Sequence, residues 1–259
     1  MGNNLKILGF AGSLRKGSYN KSLLRSASRL LPPETSLEIF DLSDIPPYNQ
    51  DLDNNMPPKV KEFKTKIRES DALLIATPEY NYSVPGVLKN AIDYASRPYG
   101  DNSFEDKPVA IMSASPGMIG GARAQYHLRQ VFVFLNMHPV NVPEVIVTFA
   151  SDKFDSEGNL LDDNTKKFLT QLLQNLSNWT RRLKERKSVT FHIDDLPSCI
   201  KRAYSWGINL CVILTKNLPE VYHRTRNIIF SDKTKHNVTM SKIILFFLVL
   251  FYFKNCNIL

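Results

Sequence analysis

Gly12-Ser13-Leu14-Arg15-Lys16-Gly17-Ser18-Tyr19-Asn20 brings two glycines, two serine hydroxyls, a guanidinium and an amide together. It lies between an apolar run, Leu5 to Ala11, and an apolar stripe at helical spacing formed by Leu23, Leu24, Ala27, Leu30 and Leu31. A strand that ends in small polar residues and turns straight into a helix aims free backbone N–H groups and a positive helix end at one point. That point suits a phosphate. A dianionic monoester fits best, because Arg15 offers a bidentate fork while Ser13, Ser18 and the Asn20 amide offer neutral donors. The competing reading is a polar turn whose Arg15 merely faces solvent.

Two other phosphate loops are set aside by spacing. Gly12 and Gly17 match the two glycines of a P-loop, but Ser18-Tyr19 stands where that motif requires Lys followed by Ser or Thr. Gly9, Gly12 and Gly17 also miss the spacing of a dinucleotide fingerprint. Two further polar segments bear glycine or proline: Thr77-Pro78-Glu79-Tyr80-Asn81-Tyr82-Ser83, and Ser115-Pro116-Gly117-Met118-Ile119-Gly120-Gly121.

The elements that must position these segments are legible from apolar periodicity. Leu5 to Ala11 reads as a strand, and the Leu23 to Leu31 stripe as a helix that Pro32 ends. Ser36 to Leu42 reads as a short strand, and the Pro- and Asn-rich Asp44 to Pro58 as a loop. Val60, Phe63 and Ile67 mark a helix, and Asp71 to Ala76 a strand covered on both faces. Pro85 opens a helix carrying Val87, Leu88, Ala91, Ile92 and Ala95. Pro108 to Ala114 is another buried-type strand, followed by a helix with Leu128, Val131, Phe132 and Leu135. Val140 to Val147 is a strand region interrupted by Pro143, and Asp162 to Leu183 a long helix.

Strands alternating with helices imply a parallel sheet with helices on both sides. Five such strands make a flavodoxin-like, doubly wound α/β domain of strand order 2-1-3-4-5. In that arrangement ligands bind beyond the carboxyl ends of the strands. The three polar segments follow the first, third and fourth strands, so all three are expected at one crevice.

A crevice that takes a phosphate at its first loop and offers Tyr80, Asn81 and a glycine-bearing loop beside it wants a flat, partly polar ring on that phosphate. Flavin mononucleotide answers this description. Backbone groups of Pro78 to Asn81 can meet its polar edge, and Gly117, Gly120 and Gly121 permit close backbone approach.

The three segments, together with Gly120-Gly121-Ala122-Arg123-Ala124-Gln125-Tyr126-His127-Leu128-Arg129-Gln130, closely resemble the NADPH-dependent FMN reductases. Within them the resemblance points to the bacterial chromate/quinone reductases and the plant NADPH:quinone oxidoreductases, and runs from about residue 5 to about residue 185. It implies one bound FMN per subunit and NADPH as cosubstrate. Phosphate-side contacts fall to Ser13, Arg15, Ser18, Tyr19 and Asn20, and ring contacts to Pro78, Glu79, Tyr80, Asn81, Ser115, Gly117 and Gly120. Electrons would pass from NADPH through FMN to a quinone, with azo compounds or chromate as further acceptors. The cofactor carries the chemistry, so no catalytic side chain is expected. The resemblance also implies a homodimer or homotetramer, with the helix matching Gly121 to Asn136 near a subunit contact.

The remaining candidates are weaker. Tyr82 either faces the crevice or caps its loop. Arg123 and Arg129 are candidates for an interface or for the phosphate of NADPH. His127 and His138 have no metal-ligand spacing around them, so no metal site is expected.

Charge is divided unevenly along the 259 residues: 1–185 hold 22 Lys+Arg against 21 Asp+Glu, whereas 186–259 hold 11 against 4. The formal net charge of +8 therefore comes mostly from the last segment and does not imply a nucleic-acid surface on the body. The reading is a reductase domain over 1–185 and an atypical basic and apolar extension over 186–259 that is expected to fold poorly. Cys199, Cys211 and Cys256 all lie in that extension, which fits a reducing, cytoplasmic setting. No secretory signal opens the chain. Ile243 to Phe253 is too short to span a bilayer. Cys256-Asn257-Ile258-Leu259 fits a loose prenylation pattern, so any membrane association would come through this tail. Two alternatives stand beside the reductase: a flavodoxin-like electron carrier, and an inactive or partner-binding form spoiled by the extension.

Overall fold

A computed structural model of the chain describes residues 4–188. The basic extension from 189 onward, with its cysteines and its prenylation-like ending, lies outside the described residues. The described body runs β1 (Leu5–Ala11), α1 (Tyr19–Ser28), β2 (Thr35–Phe40), α2 (Pro58–Glu69), β3 (Ala72–Ala76), α3 (Gly86–Ala95), β4 (Pro108–Ala114), α4 (Ala122–Phe134), β5 (His138–Pro139), β6 (Val145–Val147) and α5 (Asp163–Ser188).

The strands form one parallel sheet in the order β2-β1-β3-β4-β5, with β6 also paired to β4. This is the expected flavodoxin-like order. The strand region around Val140 to Val147 arrives as two short pieces, β5 against Pro108 and Val109 and β6 against Met112 to Ala114. Pro143 explains the gap, because it has no N–H to donate to a ladder.

Helices cover both faces of the sheet. On one face Leu23, Leu24 and Ala27 of α1 and Leu169, Leu172, Leu173 and Leu176 of α5 pack against Ile7, Leu74 and Met112. On the other, Phe63 and Ile67 of α2, Leu88 and Ile92 of α3, and Leu128 and Phe132 of α4 pack against Leu8, Phe10, Leu73, Ile75 and Ile111. Residues buried on both sides explain the unbroken apolar runs of β1, β3 and β4. Phe63 anchors the second face, edge-on to Phe10 at 5.2 Å and stacked with Phe40 at 5.0 Å between ring centroids. Truncating so large a buried ring costs about 3–5 kcal/mol.

Helix ends follow local chemistry. α1 stops at Ser28 rather than running to Pro32, and Leu30 and Leu31 pack against the core from outside the helix; Pro32 restricts only Leu31 before it. Asp162 caps α5, accepting from the Thr165 N–H at 2.7 Å and the Thr165 hydroxyl at 2.6 Å. Toward its far end α5 is held at the amino end of the sheet, where Lys184 pairs with Asp71 at 2.6 Å. The carboxyl ends of β1, β3 and β4 lie at the opposite end and lead into the three polar segments.

Candidate active site

The segment after β1 leaves the sheet through one hydrogen bond, from Gly12 N–H to the Ala76 carbonyl at 2.9 Å. From Ser13 to Asn20 no backbone N–H donates to another described residue. Leu14, Arg15, Lys16 and Gly17 are exposed, whereas Ser13 and Ser18 are buried. Ser18 is the N-cap of α1 and accepts from the Lys21 N–H. Arg15 folds back over its own loop: it donates to the Gly17 carbonyl, and its guanidinium carbon lies 5.5 Å from the centre of the Tyr19 ring. Tyr19 in turn packs on Phe154, 5.6 Å away. Unpartnered N–H groups, a helix amino terminus, two basic side chains and two buried serines make an anion cradle. These residues fit a phosphate group.

Asn20 is committed mostly to the protein. Its amide donates to the Ala114 carbonyl at 2.9 Å, and its side-chain oxygen accepts from the Ala114 N–H at 3.0 Å, with the residue buried. One N–H of the amide is left for a ligand. The pairing ties the start of α1 to the end of β4, and so holds the first and third loops at a fixed separation.

The segment after β3 is a two-residue hairpin. Tyr80 and Ser83 exchange both backbone hydrogen bonds, at 3.1 and 3.0 Å, around Asn81 and Tyr82, which have φ of 50° and 67°. Two positive φ values define a type I′ turn. The N–H groups of Glu79 and Asn81 have no partner among the described residues, so this backbone has donors to spare for the edge of a polar ring. Glu79 accepts from both the backbone N–H and the guanidinium of Arg123, at 3.0 and 2.7 Å. The Arg123 guanidinium carbon lies 3.7 Å from the centre of the Tyr82 ring, and the Ser83 hydroxyl meets Nδ1 of His127 at 2.9 Å.

The segment after β4 is tied largely to β6 and the turn beyond it. Ser115 N–H donates to the Val147 carbonyl, the Ser115 carbonyl accepts from Ala150, and the Gly117 carbonyl accepts from Gly120 and Phe149. Gly120 and Gly121 have φ of +64° and +93°, and a Cβ there would come within 2.6 Å of Ile146 and 2.8 Å of Ser113. Their need for glycine is met inside the protein. Gly117 is open, with only the Ser115 hydroxyl 3.7 Å from such a Cβ.

The structure thus brings the expected residues to one end of the sheet, with exposed Leu14, Tyr80, Met118, Ile119 and Phe149 on the segments around them. That apolar rim suits a flat ring. Arg129 and His138 are engaged elsewhere. Arg129 donates to Asn141 at 3.0 Å, and His138 meets Asp106 at 3.2 Å. Among the described residues no group of three metal-binding side chains occurs. Two participants escape a reading by local spacing: Phe149, which follows β6, and Gln125, buried in α4 and donating to Ser113 at 2.8 Å and to the Val145 carbonyl at 2.9 Å.

Fold and site define a doubly wound α/β protein whose loops after the first, third and fourth strands gather at one end of the sheet, with N–H groups left over on the first and exposed apolar side chains around them. A model of the NADPH-dependent FMN reductase family matches residues 5–152, and the chain belongs to that family. It is 54% identical over 185 residues to an NAD(P)H-dependent FMN reductase of Pseudomonas aeruginosa, covering 71% of this chain and all of that protein. It is 46% identical over 186 residues to an NADPH:quinone oxidoreductase of Arabidopsis thaliana, covering 69% of this chain and 93% of the other. Among solved structures, the flavoenzyme FerB, an NAD(P)H:(acceptor) oxidoreductase of Paracoccus denitrificans, aligns with a TM-score of 0.64 and 36% identity. That alignment covers 69% of this chain and 98% of FerB.

Proposed function

We propose that the chain is an FMN-dependent oxidoreductase that moves two electrons from NADPH to a quinone. The observation that carries this reading is the run of N–H groups from Ser13 to Asn20 that have no partner among the described residues, in a chain of the FMN reductase family. Ser13, Arg15, Ser18 and the free N–H of Asn20 would hold the phosphate, with Tyr19 bracing Arg15. The backbone at Pro78 to Asn81 would meet the polar edge of the ring, with the Ser115 to Gly120 loop opposite. FMN bound there supplies the two-electron carrier between donor and acceptor. The protein's own share is to bind and orient. Arg15 and the loop N–H groups offset the phosphate charge, the rim of Leu14, Tyr80, Met118, Ile119 and Phe149 keeps water from a ring, and Lys16 adds charge that draws an anionic donor.

Purified protein titrated with FMN, then assayed for NADPH oxidation with and without a quinone, tests this. The expected result is tight FMN uptake and quinone-dependent oxidation. A protein that takes up no FMN overturns the reading. FMN uptake without NADPH oxidation favours the electron carrier instead. A screen of quinones, azo compounds, chromate and free flavin then ranks the acceptors.

The reading includes self-association and an intracellular location. Val133 and Phe134 of α4 are 82% and 77% exposed, and Tyr126 is exposed on the same helix, more apolar surface than a helix already buried along its Leu128 and Phe132 face needs. That exposed surface supports a second copy seated on α4, and so the dimer or tetramer, which sedimentation analysis checks. No helix among the described residues is long and apolar enough to cross a membrane.

A further inference from the structure

The hairpin after β3 presents an energetic puzzle. Its turn places Tyr82, a bulky residue, at φ of 67°, a region that costs a non-glycine residue about 1–2 kcal/mol. The Tyr82 side chain is 67% exposed, so core burial does not hold it there. Strained turns persist only where their surroundings over-determine them.

Those surroundings are two residues outside the turn. The Arg123 guanidinium carbon stands over the Tyr82 ring, 3.7 Å from its centre, a cation–π contact. Glu79 aims that guanidinium, holding it at 2.7 Å through one carboxylate oxygen. The other oxygen accepts the Arg123 backbone N–H at 3.0 Å in the first turn of α4. The N-cap residue of α4 is Gly121, which has no side chain to cap with, so Glu79 supplies the missing cap from the other loop. The Glu79 side chain is 11% exposed and that of Arg123 35%, which separates this pair from a solvated surface ion pair. The Ser83 to His127 contact fastens the hairpin to the same helix one turn further on.

We infer that Glu79 and Arg123 are positioning residues that hold the Tyr80–Ser83 hairpin as a fixed wall of the crevice, setting the space open to the electron acceptor. Both carboxylate oxygens of Glu79 are spent on Arg123, so Glu79 acts through Arg123 and Tyr82. The inference rests on the flavin reading for the word acceptor, but the hairpin itself can be tested without any ligand.

The test compares E79Q, R123A and R123K with the wild type. The first readout is hydrogen exchange at the Ser83 amide, which donates to the Tyr80 carbonyl at 3.0 Å and reports opening of the turn. The second is the KM for a quinone against kcat in the FMN-loaded enzyme. E79Q and R123A are expected to exchange at Ser83 about tenfold faster, and their double variant no faster than the more affected single, as members of one chain of contacts. Quinone KM is expected to rise about tenfold with kcat within about twofold, the pattern of an acceptor bound more weakly while electron transfer to it is intact. R123K keeps a cation for Glu79 but offers no planar face to Tyr82; it is expected to fold like the wild type and still open faster, which keeps the test alive if R123A unfolds. Unchanged exchange at Ser83 in R123K overturns the inference, as does faster exchange with an unchanged quinone KM. A wild type that takes up no FMN defeats the flavin reading alone, while exchange at Ser83 still decides the role of Glu79 and Arg123.

Discussion

The loops after β1 and β3 reach the same end of the sheet and are prepared in opposite ways. The first leaves its backbone N–H groups from Ser13 to Asn20 without partners among the described residues and keeps Arg15 and Lys16 exposed. The second closes Tyr80 on Ser83 and is fastened to α4 by Glu79, Tyr82 and Ser83. A loop with unused donors is built to be completed by a ligand. A loop that closes on itself and is fastened to a helix by its side chains is built to keep its shape, with the N–H groups of Glu79 and Asn81 still left over for a ligand. One crevice therefore has a receptive floor and a stiff wall.

Substitutions can break or sharpen that contrast. The largest effect is expected from Asn20→Ala, which leaves the N–H and C=O of buried Ala114 unpaired. Two such losses cost about 3 kcal/mol, and the melting temperature of the apoprotein should fall by roughly 6–12 °C. A fall within a degree or two would mean that the first loop is not anchored there.

Arg15→Ala sharpens the contrast from the other side. Among the described residues Arg15 makes one hydrogen bond, to Gly17, and one cation–π contact, to Tyr19, so apoprotein stability should barely move. Loss of a charged hydrogen bond to phosphate costs about 2 kcal/mol, or roughly thirtyfold in FMN affinity. Fluorescence titration measures this, and a variant that keeps its flavin through dialysis rejects Arg15 as a phosphate ligand.

The third loop contains both kinds of preparation and offers an internal control. Gly120→Ala forces a side chain onto Ile146 at a positive φ and should cost about 1–3 kcal/mol in a urea melt. Gly117→Ala meets nothing closer than 3.7 Å, and its stability should stay within about 0.5 kcal/mol.

The smallest effect belongs to the far end of the sheet. Burial pushes the Asp71 carboxyl up, but the Lys184 ammonium and the Lys6 N–H outweigh it and hold it below the ordinary value. A depressed carboxyl stabilises the fold above its unfolded pKa, and that contribution is lost as pH falls through the folded one. Asp71→Asn should therefore flatten the loss of stability below about pH 4 and leave FMN affinity at neutral pH within twofold. Melting curves across pH check the first expectation.

What could be read in advance follows from range in sequence. The phosphate cradle is one contiguous stretch between a strand and a helix, so residue types at fixed offsets describe it. The sheet order was legible for the same reason, through unbroken apolar runs at β1, β3 and β4. The Glu79–Arg123 pair spans 44 positions, and nothing local tells a bracing arginine from a solvated one, so the contacts of Arg123 within the chain are not legible from its neighbours in sequence. Glycine at 120 has its reason in Ile146, a neighbour that exists only once β6 lies beside β4, and glycine at 121 in Ser113, reached only when the loop folds back on the strand it leaves. Pro143 announced an interruption, but not that the strand would resume as β6 on the same edge.

A floor of unspent donors has a consequence for how much of this protein a cell retains. A ligand that binds only the folded chain adds stability as its concentration exceeds its Kd, about 2.7 kcal/mol at a hundredfold excess. That is close to a hundredfold shift between folded and unfolded chains. Supply of the flavin would then govern the lifetime of the protein against proteolysis as well as its turnover of substrate. Cells starved of riboflavin should lose the polypeptide itself, and refeeding should restore its abundance before any new transcript is made.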